Sequence, residues 1–152
     1  MRQTLTGMAE ITLRTDLSEL AALAAFIERF AEQEQLPADV AFQLNLALEE
    51  LITNTVSYGH PDGQGAPILL RMERDGDVIE ANLTDEGIAF DPRDAAPPDL
   101  DAPLEERRAG GLGVYLVRKF MDEIDYRRDG GRNHLRLRKR LARAPGTGAE
   151  RT

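Results

Sequence analysis

Apolar residues recur along this chain with two different periods, and the places where the period changes predict its elements. Ile11 and Leu13 alternate with polar neighbours, the two-residue period of a strand with one buried face. Leu20, Leu23, Ala24, Ile27 and Phe30 then follow the spacing of one helical stripe. Asp16 or Ser18 is placed to cap that helix, which is expected to run to about Gln35. Pro37 suits the entry to a second helix, from about Ala38 to Ser57, in which Val40, Leu44, Leu48 and Leu51 repeat at helical spacing. Residues 58–67 read as a loop.

The period then returns to two. Strands are expected over 68–73 and 78–84, with Ile79, Ala81 and Leu83 on one side and Asp75-Gly76 in a tight hairpin turn. From Pro92 to Ala109 the periodicity fails, and four of the eight prolines fall there among acidic residues; the segment reads as a mobile lid. Gly110, Gly111 and Gly113 next open a short buried helix containing Val114, Leu116, Val117 and Phe120. A last hairpin is expected over 124–128 and 133–140, turning at Asp129-Gly130-Gly131, with Leu135 and Leu137 alternating with arginine as one wet face of an edge strand. From Ala142 onward the composition of Gly, Pro and charge predicts a disordered tail.

Composition narrows this picture. With 152 residues, 41% of them apolar, the chain suits one domain with a sizeable core, here placed at 1–141 with the tail at 142–152. The absence of cysteine excludes a disulfide framework, a thiolate metal site and thiol nucleophiles. The first residues lack the apolar run of a secretory signal, and no stretch approaches the roughly 20 apolar residues that span a bilayer, so a cytoplasmic protein is expected. The net charge of -8 is unevenly placed: residues 127–152 carry nine Arg and Lys against two acids, and the rest of the chain is strongly acidic. Such a body argues against extended binding of nucleic acid, which needs a basic face to neutralise phosphates, and leaves only a local basic strip for a partner.

Chemistry enters in the second helix. Glu50 and Asn54 lie four residues apart, so they stack on one helical face, where a carboxylate can accept a proton and an amide oxygen can hold a hard cation. Each motif also has an ordinary reading. Glu50 and Asn54 alone would be a solvated helical face, Asp85-Glu86-Gly87 a turn at a strand end, and the glycine cluster a hinge or helix start. His60 and His134 lack the companion ligands of a zinc site.

The order of these features is more specific than any one of them. A helix with Glu50 and Asn54, a strand ending in Asp85-x-Gly87, a proline-rich lid, then Gly111-Leu112-Gly113 at a helix start: together these resemble the GHKL ATPases, the fold of gyrase and the histidine kinases. Within that group the chain is most similar to the anti-sigma-factor serine kinases, over about residues 11–141. The resemblance implies an α+β fold, a two-layer α/β sandwich with a mixed, mostly antiparallel sheet and helices on one face, the Bergerat ATP-binding fold. It implies ATP and magnesium as cofactors, Asn54 as magnesium ligand, and Glu50 as general base, with Glu49 second choice. Asp85 corresponds to the residue that accepts a hydrogen bond from the adenine amino group, and Gly87 to the glycine that lets backbone approach the base. Ala89 stands where the family commonly has a further glycine, before Phe90-Asp91-Pro92. Gly110, Gly111, Leu112 and Gly113 correspond to the phosphate-cradling glycine box, and Arg108 or neighbouring Arg107 to a phosphate-neutralising arginine. A hydroxyl residue near the adenine is replaced in this region by Asn133 or His134, left unassigned.

The function implied is an ATP-dependent protein-serine kinase and anti-sigma regulator of a partner-switching pathway. Its substrate would be a STAS-domain anti-anti-sigma protein and its other ligand a sigma factor or another regulator, with no direct contact to nucleic acid or membrane. The resemblance also allows a homodimer through the first strand and first helix. Two other readings differ in chemistry: a nucleotide-gated anti-sigma or adaptor module that transfers little or no phosphate, and a detached histidine-kinase catalytic domain, for which the chain supplies no phosphoacceptor helix.

Overall fold

The computed structural model describes residues 2–5, 7–59, 65–94 and 111–141. His60, most of the expected lid, Arg107, Arg108, Gly110 and the expected tail lie outside these residues. Six strands and three α-helices follow the order β1 (Arg2–Leu5), β2 (Met8–Leu13), α1 (Leu20–Gln33), α2 (Ala38–Tyr58), β3 (Ile68–Asp75), β4 (Val78–Asp85), α3 (Gly111–Phe120), β5 (Glu123–Asp129) and β6 (Arg132–Arg140). The strands form one sheet in the order β1-β2-β3-β4-β6-β5, and each of its five pairings is antiparallel.

The expected strand pattern explains why the helices gather on one face. Ala9, Ile11 and Leu13 on β2, Ile68, Leu70 and Met72 on β3, and Ile79, Ala81 and Leu83 on β4 are all buried, as are Leu135 and Leu137 on β6. In antiparallel register these odd or even positions share one side of the pleat, so a single apolar surface results. Against it pack Leu23, Phe26, Ile27 and Phe30 of α1, Leu44, Ala47, Leu48, Leu51 and Ile52 of α2, and Val117 of α3. The expected two-layer α/β sandwich is therefore the observed architecture.

Local details differ from expectation at several points, each for a physical reason. Asp16 caps a single 3-10 turn, Leu17–Glu19, through its side chain to the Ser18 amide, and α1 proper begins after it. Ala24 is exposed, and Phe26 takes the buried stripe instead, because the stripe follows Leu23, Phe26, Ile27 and Phe30. Strand β1 was not anticipated; Gly7, at φ +84°, lies between it and β2, and the short Arg2–Leu5 run has no alternation to betray it. The β3-β4 turn is Gly76-Asp77, flanked by the Asp75 to Val78 pair, with Gly76 at φ +64°.

The last hairpin turns at Gly130 and Gly131, both at positive φ, as a two-residue primed turn requires. Its second strand is not an edge strand: β6 returns to pair with β4 and leaves β5 outermost. The arginines of β6 consequently sit among acids from both neighbours. Arg136 bonds Asp125 at 2.7 Å, Arg138 bonds Glu80 at 3.0 Å, and Arg140 lies 3.4 Å from Glu123. The basic strip read along the sequence is thus largely neutralised across strands, as an exposed ion-pair lattice of small net stabilisation.

Candidate active site

Helix α2 is the element on which the site is built. Its core stripe of Leu44, Leu48, Leu51 and Ile52 faces the sheet, which leaves Glu50 and Asn54 half-buried on the flank beside α3. A rise of about 1.5 Å per residue separates the two by roughly one turn. Glu49 is also half-buried. Burial pushes the Glu50 carboxyl above its ordinary pKa, and the neighbouring Glu49 charge pushes it the same way.

Glycine Gly113 belongs to the first turn of α3 and is buried against that carboxylate. A Cβ placed on Gly113 would lie 2.1 Å from Glu50 Oε1 and 2.9 Å from its Cδ, closer than real atoms approach. No positive φ is needed here, so the glycine is favoured by the room it leaves for the Glu50 side chain and not by its backbone. Gly111 opens α3 and Leu112 follows it, so the glycine box expected from the sequence does form a helix start. Backbone amides at such a start point outward without intrahelical partners, which suits an anion.

The other end of α2 meets the Asp85-Glu86-Gly87 turn. Gly59 caps α2, and its carbonyl accepts a hydrogen bond from the Ile88 amide at 2.8 Å. Gly87 is buried there: a Cβ on it would stand 2.9 Å from Gly59 O and 3.0 Å from Asp85 Oδ1. The sequence assigned Gly87 to close approach of a ligand, and the structure adds close approach of the chain to itself. Asp85 Oδ1 accepts the Gly87 amide at 2.8 Å, tightening the turn. Farther on, Asp91 accepts the Arg93 amide and guanidinium, which lower its pKa and fix the Pro92–Asp94 turn; Ile88, Ala89 and Phe90 between them are exposed.

Asn133, which the sequence alone does not assign, is the one buried polar side chain among the described residues, 6% exposed. Its Nδ2 donates to Asp85 Oδ1 and to the Ile88 carbonyl, each at 2.9 Å. Its Oδ1 accepts from Tyr126 Oη at 2.6 Å and from the Arg128 guanidinium at 3.1 Å. Arg128 also reaches the Gly87 carbonyl at 2.7 Å. Sequence spacing could not find this cluster, since its members are distant along the chain; the polar residue at a core-facing position of β6, in phase with Leu135 and Leu137, was the available signal. His134 points to the opposite face, 3.5 Å from Thr84 Oγ1.

The fold, with the two glycine-bearing turns converging on one helix, is the arrangement expected of a GHKL-type ATP-binding domain. Comparison with known proteins is consistent with this and more specific. The model of the histidine kinase-like ATPase domain matches residues 13–139. The serine/threonine-protein kinase BtrW of Bordetella bronchiseptica is 32% identical over 131 residues, covering 82% of this chain and 92% of BtrW. The serine-protein kinase RsbW of Listeria monocytogenes is 30% identical over 125 residues, 78% of this chain and 71% of that protein. A crystal structure of RsbU and RsbW domains from Mycobacterium tuberculosis shares the fold, with a TM-score of 0.65 at 18% identity, over 94% of this chain and 35% of that one. The chain belongs to the histidine kinase-like ATPase domain family.

Proposed function

We propose that this chain is an ATP-dependent protein-serine kinase acting in a cytoplasmic partner-switching pathway, with a STAS-domain anti-anti-sigma protein as substrate and a sigma factor or comparable regulator as competing ligand. The relatives named as serine kinases support the reaction class. The observation that carries the reading is the packing of the half-buried Glu50 carboxylate against Gly113 at the start of α3. A carboxylate beside a helix start supports this reading, because hydroxyl-to-phosphate transfer needs a proton acceptor next to the phosphates.

The donor set fits the ATP and magnesium that the family implies. Asn54 offers a hard amide oxygen one turn from Glu50, and the missing side chain at Gly113 lets the Glu50 carboxylate lie against the start of α3. When bound, magnesium supplies charge neutralisation at the phosphates. The rest falls to side chains and backbone of this chain. Gly111, Leu112 and Gly113 present amides to the phosphates, and Gly110 and Arg108 adjoin them in sequence. Asp85 accepts from the adenine amino group, while Glu50 takes the serine proton. Burial and the Glu49 charge raise the Glu50 pKa, which makes its carboxylate a stronger base. Phosphate added to the serine would place about two negative charges in the substrate interface and release this acidic protein for its other ligand.

The test is transfer of labelled γ-phosphate to a STAS-domain protein. We expect acid-stable phosphate on serine, abolished by Glu50→Ala while ATP binding persists. Transfer surviving that substitution would overturn the base assignment; binding with no transfer by the wild-type chain would make it a nucleotide-gated module; acid-labile product would point to histidine chemistry.

A further inference from the structure

The purine-recognising end of the site contains more machinery than a single aspartate. Among the described residues, both hydrogen bonds to the Asp85 carboxylate fall on Oδ1, one from the Gly87 amide and one from Asn133 Nδ2. Oδ2 is then the oxygen with lone pairs to offer a ligand. The Asn133 amide cannot be turned over without loss. Reversed, its oxygen would face Asp85 Oδ1 and the Ile88 carbonyl, and its NH2 would face the Arg128 guanidinium, setting acceptor against acceptor and donor against donor.

On the edge strand it is Arg128, which can only donate, that adds to the cost of reversal. Tyr126 and Arg128 of β5 both donate to Asn133 Oδ1, and Arg128 also ties down the Gly87 carbonyl. Asn133 itself is buried, so an unmade bond to its amide is costly and the cluster favours one arrangement. The geometry points to Asn133, oriented by Tyr126 and Arg128, as a positioning residue that determines base selectivity by fixing the Asp85 carboxylate. This rests on the reading of Asp85 as the acceptor for the adenine amino group. A fixed carboxylate oxygen attracts a 6-amino group and repels a 6-oxo group; a carboxylate free to rotate, or to draw in water, distinguishes them poorly. Asn133 acts through Asp85 and need not touch the nucleotide.

The experiment compares dissociation constants of ATP, purine riboside triphosphate, which lacks the 6-amino group, and inosine triphosphate, which carries a 6-oxo group, for the wild-type chain, Asn133→Ala and Tyr126→Phe. A hydrogen bond to a charged group predicts a wild-type preference of about tenfold to a hundredfold for ATP over purine riboside triphosphate. Asn133→Ala is expected to bring that ratio to within about threefold, by weakening ATP and leaving the analogue nearly unchanged, since a carboxylate free to rotate or hydrate keeps little of the directional bond. Tyr126→Phe keeps the ring and removes one donor, so its ratio should fall between the two; it decides the matter if Asn133→Ala does not fold. Equal weakening of all three nucleotides would mean a merely structural role and would overturn the inference. So would a preserved ratio in both variants of a discriminating wild type. A wild type with no preference for ATP would refute the Asp85 assignment itself, a distinct result.

Discussion

Substituting Gly113 by alanine sets two opposing effects against each other, and the structure supplies the means to separate them. Alanine within a helix is favoured over glycine by about 0.5–1 kcal/mol, and α3 is helical from Gly111 to Phe120. The added methyl would stand 2.1 Å from Glu50 Oε1, 2.9 Å from Cδ and 3.1 Å from Cγ. These are the far atoms of a flexible side chain, so the collision is relieved by Glu50 leaving its rotamer, at about 0.5–1.5 kcal/mol. Net stability of Gly113→Ala should therefore lie within about 1 kcal/mol of wild type, a melting shift of roughly 4 °C or less. With Glu50→Ala already in place the collision vanishes, and the same substitution should stabilise by up to about 1 kcal/mol. The coupling between the two sites, read by urea denaturation of the four variants, is expected at about 1 kcal/mol. Activity should not share this tolerance. With the base displaced, phosphotransfer should fall by about 10²–10⁴-fold, while ATP affinity changes only slightly because the backbone amides remain. Zero coupling, or full transfer by Gly113→Ala, would refute the reasoning; a large loss of stability in both backgrounds would show that something rigid, and not Glu50, fills that space.

Two further substitutions probe contacts made by α2 and its C-cap. Glu50 has a folded-state pKa above its ordinary value, so its contribution to stability is full below that ordinary value and is lost as pH rises through the raised one. Glu50→Gln removes the cost of holding that charge: it should be more stable than wild type at pH 7, with the advantage vanishing toward pH 4, and inactive in transfer throughout. A pH-independent difference in urea midpoints would contradict this. Gly87→Ala should behave opposite to Gly113→Ala, because its Cβ meets backbone at Gly59 O and Cα, which cannot rotate away. We expect a loss of about 1–3 kcal/mol, with weaker ATP binding as the Asp85 turn detaches from α2. An unchanged melting temperature would show that the turn is not seated on Gly59.

The sequence by itself determined the elements and the fold class of this protein. Period two at Ile11–Leu13 and Ile79–Leu83 and period 3.6 in α1 and α2 are local signals, set by which side of each element meets water. The order of Glu50, Asn54, Asp85, Gly87, Gly111 and Gly113 identified the family for a similar reason: close approach and phosphate cradling demand particular residue types at particular turns. The exception, β1, had no alternation to show. Tertiary structure decided everything that depends on partners distant along the chain. Strand β6 pairs with β4 and expels β5 to the edge, and only then do the arginines of β6 meet Glu80, Glu123 and Asp125. Only then does Asn133, which the sequence could not separate from His134, come to lie directly beside Asp85, with Tyr126 and Arg128 behind it. Gly87 and Gly113 were legible as glycines, but that one clears Gly59 and the other Glu50 follows from packing, because the space a side chain lacks is defined by its neighbours in three dimensions.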